Sequence, residues 1–453
     1  MVEIKIEKPV SRLQRISIHS HIRGLGLDEN GKAIRVKDGL VGQLEAREAA
    51  GIVVEMVKEG RMAGRGVLFV GPSGTGKTAI AIGIARELGE DTPFVAISGS
   101  EIYSSEIKKT EFLMQAIRRA IGVRIRETRR VYEGVVKEVS YQFEKNPFMP
   151  YAQIPVGGVI TLETEDDEAR LRVPEEVAQQ LIRMGVKEGD YIELDEETGH
   201  VRRIGRVKSK SKEEYDVGGL RSVEMPKGSV KKVKETVHTV TLNDLDVIAV
   251  MQRAAYTSLF GFLEAEKEVS PEVRKSVDEQ VKKMVETGKA EIVPGVLFID
   301  DAHMLDLEAY SFLTRAIEGD LAPILVLATN RGLTKIRGTD VESPHGIPLD
   351  LLDRLLIIPT KPYDKEDIRE IIKIRSDEED IPITEEALEM LTEIGATKSL
   401  RYAVQLMEPA RIIAKRENRV KVEPKDVERA AKLFADTSKS LRITEEFKEK
   451  LLK

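Results

Sequence analysis

The sequence predicts an α/β protein: a parallel-sheet core around a phosphate-binding loop, interrupted by a β-rich insert and closed by a helical C-terminal domain. Three observations carry this. A complete glycine-rich loop stands between an apolar strand and a helix start at residues 67–85. A second apolar strand ends on the paired carboxylates Asp300-Asp301, and the long stretch between them turns to short alternating segments. From Asp364 onward the pattern is charged and helical. With 453 residues, 41% of them hydrophobic and 33% charged, the chain has room for two or three domains and the composition of a globular protein.

The loop reads Gly71-Pro72-Ser73-Gly74-Thr75-Gly76-Lys77-Thr78 and fits G-x-x-x-x-G-K-[ST] at every fixed position. Val67-Leu68-Phe69-Val70 in front is expected as a buried strand, and Ala79-Ile80-Ala81-Ile82-Gly83-Ile84-Ala85 behind as a helix start. That order aims backbone N–H groups and a positive dipole end at an anion. Lys77 would place a point charge at the β- and γ-phosphates, and Thr78 would hold Mg²⁺. The expected ligand is a nucleoside triphosphate.

Before the loop, Gln43 to Glu59 carries Leu44, Ile52, Val53, Met56 and Val57 at helical spacing. After it, Phe94-Val95-Ala96-Ile97 reads as a second strand, and Ser98-Gly99-Ser100-Glu101 opens a helix through Phe112, Leu113, Ala116 and Ile117. Val296-Leu297-Phe298-Ile299-Asp300-Asp301 is a buried strand that delivers acids to its C-terminal tip. Asp300 would hold Mg²⁺ through water and Asp301 would polarise the attacking water; a structural acidic turn is the other reading. Pro323 to Asn330 forms another buried strand. Asn330 either orients the lytic water or is an ordinary turn residue. Leu349-Asp350-Leu351-Leu352-Asp353-Arg354 closes a short helix on an arginine, as a helix-end ion pair or as a finger for a neighbour's site. Thr384 and Glu423 look like capped helix starts, and the helix opening at Ser399 offers Arg401 to the nucleotide.

Lys77 and Asp300 lie too far apart in the chain for a simple nucleotide-binding core, so something is inserted. Val131–Ser140, Gly158–Thr164, Tyr191–Leu194 and His200–Val207 read as short strands, with Glu196-Glu197-Thr198-Gly199 as a hairpin turn. The division expected is core 1–125, a β-rich, barrel-like insert 126–290 with a helical return through Val273 to Lys289, core again 291–363, and a helical lid 364–453. An oligonucleotide-binding (OB) barrel is the natural candidate for the insert, though alternation does not separate it from other small β-folds.

The absence of cysteine excludes disulfides, thiolate metal sites and thiol catalysis. No apolar run approaches the ~20 residues that span a bilayer. The N-terminus alternates charge without a signal peptide's apolar core, so a cytoplasmic location and no membrane partner are expected. Net charge is −7, which argues against a passive nucleic-acid coat. A local basic stretch exists: Arg202, Arg203, Arg206, Lys208, Lys210 and Lys212, joined by Lys227, Lys231, Lys232 and Lys234. It reads either as a track for nucleic-acid phosphates or as a solvated loop, since Glu213, Glu214, Asp216 and Glu235 interleave and aromatic residues are sparse.

These motifs stand in the order of an AAA+ ATPase. His19 to Leu27, Gly99 to Ser104, Ser343 to Asp350 and Ser399 to Ala403 narrow the likeness: the chain resembles the RuvB-like ATPases, the Pontin/Reptin family, over nearly its whole length, the insert least. The resemblance implies a homo-hexameric ring that binds ATP or ADP with Mg²⁺ at subunit boundaries. It also implies an ATP-dependent DNA helicase or translocase, with DNA, single-stranded DNA included, met through the insert. The alternative is a nucleotide-gated scaffold for protein clients; a purely structural nucleotide is a third reading. By position, Gly71, Pro72, Ser73, Gly74, Thr75, Gly76, Lys77, Thr78 and Ala79 hold phosphates. Thr78 and Asp300 take the metal, Asn330 is the sensor, Arg354 the trans-acting finger and Arg401 the lid arginine. On the resemblance, His19, His21 and Ile22, with Val41 and Gly42, should wall the adenine; ordinary packing is the other reading of the histidine pair. One position departs: the family reads Asp-Glu where this chain has Asp300-Asp301. Aspartate is shorter by about 1–1.5 Å, and misplacing a catalytic group by about 1 Å costs on the order of 100-fold. Weak but real ATPase activity is expected, with Asp301→Glu the faster enzyme.

Overall fold

The computed structural model describes residues 21–89, 91–103, 107–146, 149–207, 222–257, 269–319 and 321–436. The chain divides into two compact units. One comprises Met1–Val123, Thr239–Lys283 and Glu291–Lys453; the other comprises Arg124–His238 and Met284–Ala290.

At the centre of the first unit is a five-stranded sheet in the order Leu355–Pro359, Gly66–Val70, Ile324–Thr329, Val296–Asp300, Phe94–Ser98. Every pair is parallel. The three middle strands are almost wholly buried, as uninterrupted apolar runs covered on both faces must be. Phe298 stacks on Phe94 with ring centroids 6.3 Å apart, closing the core toward the sheet edge. Helices Leu44–Lys58 and Lys77–Leu88 supply Ala46, Ala50, Val53, Ile80 and Ile84 to the same core. Since all strands run one way, Gly71, Asp300, Asn330 and Thr360 follow or cap strand ends on a single edge. That is where parallel sheets bind ligands.

The C-terminal helices Lys365–Glu378, Glu385–Thr397, Leu400–Arg416 and Pro424–Leu433 share a core of Ile372, Leu391, Leu406, Met407 and Val427. Their starts obey capping chemistry: Asp364, Thr384 and Ser399 accept from backbone N–H groups three residues on, and Glu423 with Asp426 forms a capping box.

The second unit is built on a mainly antiparallel sheet. Strand Ile121–Asn146, 26 residues long, pairs with Met149–Glu163 on one side and Asp190–Asp195 on the other. Glu168–Pro174 and Val201–Val207 extend it outward. Helix Glu175–Arg183 packs Val177, Ala178 and Leu181 against Val136, Ile160 and Ile192. The expected strand Val131–Ser140 is therefore the middle of a far longer one. Register shifts after Val136 and Gln142 bend it and break its alternation. The turn at Glu196–Gly199 is as expected, with Asp195 Oδ1 accepting from the N–H groups of Glu197 (3.0 Å) and Thr198 (2.8 Å).

The helical return differs from the expected division. Helix Leu242–Thr257 and most of helix Pro271–Glu286 belong to the first unit, not to the insert. Charge pairing is the reason. Arg118, buried on helix Lys109–Arg119, donates to Asp246 Oδ1 (2.7 Å) and Asp278 Oδ1 (2.8 Å), while Arg274 donates to Glu111 Oε2 (2.9 Å). Burial still pushes the Asp246 carboxyl up, against the pull of Arg118. At the joint itself, Gly295 donates to the carbonyl of Ala120 (3.0 Å), and Val296 donates to that of Pro93 (2.8 Å). A Cβ at residue 295 would stand 2.3 Å from the Pro93 oxygen, so only glycine fits.

Arg118→Ala would leave Asp246 buried beside a weakened partner set. A loss of about 3–5 kcal/mol is expected in denaturant melts. Cutting the exposed pair Lys361–Glu45 should cost under about 1 kcal/mol. Equal effects would show that the cluster does not hold the returning helices.

Candidate functional site

The phosphate loop is built by close backbone approach. The Gly71 N–H donates to the Thr329 carbonyl (3.2 Å) and the Thr360 N–H to that of Val70 (2.8 Å). A Cβ on Gly71 would lie 2.2 Å from Thr360 Oγ1. Gly74 and Gly76 adopt φ of 83° and 82°, the left-handed region that favours glycine. A Cβ on Gly76 would also meet the Tyr363 hydroxyl at 2.4 Å. Thr75 Oγ1 donates to the Pro72 carbonyl at 2.9 Å and lies 2.7 Å from Thr360 Oγ1. Helix Lys77–Leu88 starts at Gly76 with no side-chain cap, leaving first-turn N–H groups for an anion. Thr78 and Ala79 stand in that turn.

Lys77 is only 8% exposed, and its ammonium donates to the carbonyls of Gly71 (3.0 Å) and Pro72 (2.7 Å). Burial lowers its pKa; Asp300 and Asp301 pull it back up and Arg401 pushes it further down. Charges from the second strand tip and from the start of helix Leu400–Arg416 thus act on the phosphate-loop lysine. Asn330 joins them directly, its Nδ2 donating to Ser73 Oγ (3.1 Å). Asp300 Oδ1 accepts the Asp301 N–H (2.9 Å). Asp301 itself has φ 48° and ψ 46°, a left-handed conformation in which Asp is enriched among non-glycine residues. Gly99 makes room: a Cβ there would sit 2.6 Å from the Asp301 carbonyl oxygen.

These residues fit a nucleotide and Mg²⁺. The loop is a cradle that a Cβ would fill, and the helix start above it is uncapped. Among the described residues no group of three or more His, Cys, Asp or Glu forms a metal cage. Thr78 and Asp300 would therefore share the ion with phosphate oxygens and water, which suits Mg²⁺.

On the expected adenine side, Ile22 and Val41 are buried and His21 is half-buried. Burial and the nearby Arg375 lower the His21 pKa, and Glu378 opposes them. Gly42 is left-handed at φ 60°, and a Cβ there would meet Asp367 Oδ2 at 2.6 Å. His19 lies outside the described residues. Arg47, which the sequence reading passed over, organises this side. It is wholly buried, with Nε donating to the Leu25 carbonyl (2.7 Å), Nη2 to Gly26 (2.8 Å) and Nη1 to Gly42 (3.0 Å). Thr360 and Tyr363 were missed as well. A cation on the apolar face of an amphipathic helix is the one signal that could have flagged Arg47.

Arg354 is not brought to this loop. It precedes strand Leu355–Pro359, its carbonyl accepts the Gly66 N–H (3.0 Å), and its guanidinium pairs with Glu318. The loop leaves the sheet at the other end of those strands, about 15 Å away for five residues.

Comparison with known proteins matches residues 15–366 to the TIP49 P-loop domain and residues 371–436 to the TIP49 AAA-lid domain. The chain is also similar to RuvB-like protein 1 of Arabidopsis thaliana, with 44% identity over 458 residues and 100% of both chains covered.

Arg47→Met keeps the packing but takes the guanidinium donor from the Leu25 and Gly42 carbonyls, at about 1–3 kcal/mol for a buried group left unpaired. Fluorescent-ADP titration should show weaker binding, by about 10-fold. Unchanged affinity would detach Arg47 from the nucleotide.

Proposed function

Because the chain belongs to the RuvB-like family of AAA+ P-loop ATPases, we propose that it hydrolyses ATP at this loop and couples the cycle to movement along DNA. The observation that carries the hydrolytic part is the convergence on one sheet edge of Lys77, Asp300, Asp301, Arg401 and the Asn330–Ser73 pair. Loop N–H groups, Lys77 and Arg401 stabilise phosphate charge. Bound Mg²⁺, held by Thr78 and Asp300, would neutralise the phosphate oxygens. Asn330 orients a water whose oxygen attacks the γ-phosphorus, Asp301 takes its proton, and the bond to ADP breaks.

Arg354 sits at the far end of its own sheet, which supports its role as a finger for a neighbouring copy in a homo-hexameric ring. A second reading, the nucleotide-gated scaffold for protein clients, is favoured by one observation. Several cations of the basic stretch are neutralised locally: Arg203 pairs with Asp190 (2.7 Å), Lys231 with Glu196 (2.6 Å) and Lys234 with Glu133 (2.7 Å). Lys208, Lys210 and Lys212 lie outside the described residues.

Steady-state hydrolysis with and without single-stranded DNA tests both readings. Turnover lost in Lys77→Ala and raised by DNA supports the motor; turnover indifferent to DNA favours the scaffold. Asp301→Glu should be faster than the parent, because the longer side chain reaches the water, and a slower variant would overturn that. Arg354→Ala should lose about 10³-fold or more. Mixing it with Lys77→Ala should restore activity in part, since a mixed ring pairs an intact loop with an intact finger.

A further inference from the structure

The loop that carries Asn330 is held from two sides by histidines that the hydrolytic scheme does not use. Thr329, the last residue of its strand, is fully buried, and its Oγ1 accepts the Arg331 N–H (3.2 Å). The same oxygen lies 3.4 Å from Nδ1 of His303, which sits in the short helical turn Ala302–Met304 immediately after Asp301. Having accepted from Arg331, the hydroxyl can donate its own proton to a neutral imidazole. On the other side, His345 Nδ1 lies 2.8 Å from the Arg331 carbonyl. A carbonyl only accepts, so this nitrogen carries the proton. The His345 N–H also donates to the Gly332 carbonyl (2.7 Å). His345 holds φ 62° and Gly346 φ 67°, and a Cβ on Gly346 would lie 3.6 Å from Cβ of His303. Both histidines therefore converge on the segment Thr329–Gly332.

We propose that His303 and His345 are positioning residues for γ-phosphate recognition: they clamp Thr329 and Arg331, hold the Asn330 amide against Ser73, and lock that sensor to the turn bearing Asp301. His303 is the link that matters most, because it joins the acid-bearing turn to the sensor strand. Burial keeps its imidazole toward the neutral form, against Asp301 and Asp300 and with a smaller push from Arg331. The inference rests on the hydrolytic reading for its meaning, but its geometry concerns recognition of the third phosphate.

The test uses the full chain and two readouts. One is the ratio of affinities for a non-hydrolysable ATP analogue and for ADP, both with Mg²⁺; the other is kcat for ATP. His303→Ala and Thr329→Val should each lower the analogue-to-ADP preference by about 3- to 10-fold, the worth of one hydrogen bond. They should lower kcat by about 10-fold or more, with ADP affinity and Tm kept. The double variant should be no worse than the weaker single, as expected for one shared contact. His345→Asn, which keeps a donor and tolerates the left-handed backbone, should stay near the parent, whereas His345→Leu should not. Unchanged preference in His303→Ala and Thr329→Val overturns the proposal. So does a parallel fall of ADP affinity and Tm without a change in preference, which would mark a merely structural contact. If the parent hydrolyses no faster than Lys77→Ala, the hydrolytic reading fails, while the affinity ratio still decides this one.

Discussion

The site depends on the parallel register of five strands. Phe298 lies opposite both Val326 and Ala96, and Val70 lies opposite both Thr329 and Pro359. This register brings Gly71 beside Thr329 and Thr360, and sets Asp300 opposite Ser98. Slipping one strand by a residue would turn its side chains to the other face and offset its tip by about 3.3 Å. Both faces are packed, so the sheet has no tolerance for such a slip. The precision of the phosphate cradle is in this sense a property of Val67, Phe69, Phe298 and Val326, none of which touches a ligand.

Three of the cations buried among the described residues are held by different means. Arg118 faces two carboxylates and is bound to the returning helices as a permanent fastening. Arg47 faces only carbonyls, which satisfy its donors without a counter-charge, so burial lowers its pKa. Lys77 also leans on carbonyls, but with acids and a second cation within electrostatic range. Neutral partners hold an ammonium less tightly than an anion does. Exchange of the Gly71 and Pro72 carbonyls for phosphate oxygen is therefore downhill, whereas an Arg118-like salt bridge would have to be broken first.

Much of this was legible in the sequence because it depends on local rules. The glycine loop, the apolar strands, the caps at Thr384 and Glu423 and the turn at Glu196–Gly199 all follow from neighbours within a few residues. What the sequence hid was non-local. Thr360 and Tyr363 matter because their atoms stand where a Cβ at Gly71 or Gly76 would go, a fact of three-dimensional proximity. Arg118 and Asp246 are 128 residues apart, so nothing in either helix's periodicity assigns helix Leu242–Thr257 to the core rather than to the insert. The bulged strand Ile121–Asn146 betrayed only its middle, since register shifts break its alternation beyond Val136. His303 and His345 were visible as letters, yet their contacts with Thr329 and Arg331, two neighbours in one segment, needed the chain to fold back.

The joint at Ala120 and Gly295 has a consequence for how such a protein could arise and diversify. The two chain ends that carry the insert are already pinned to each other by a backbone hydrogen bond inside the core. To the core, the part of the intervening segment that forms the second unit is a loop whose closure is set by the core's own elements. Lengthening such a loop adds only about 0.6 kcal/mol per doubling. Relatives could thus exchange, enlarge or shorten this domain while the ATPase architecture stays intact, so variation would be steered toward the insert and away from the sheet.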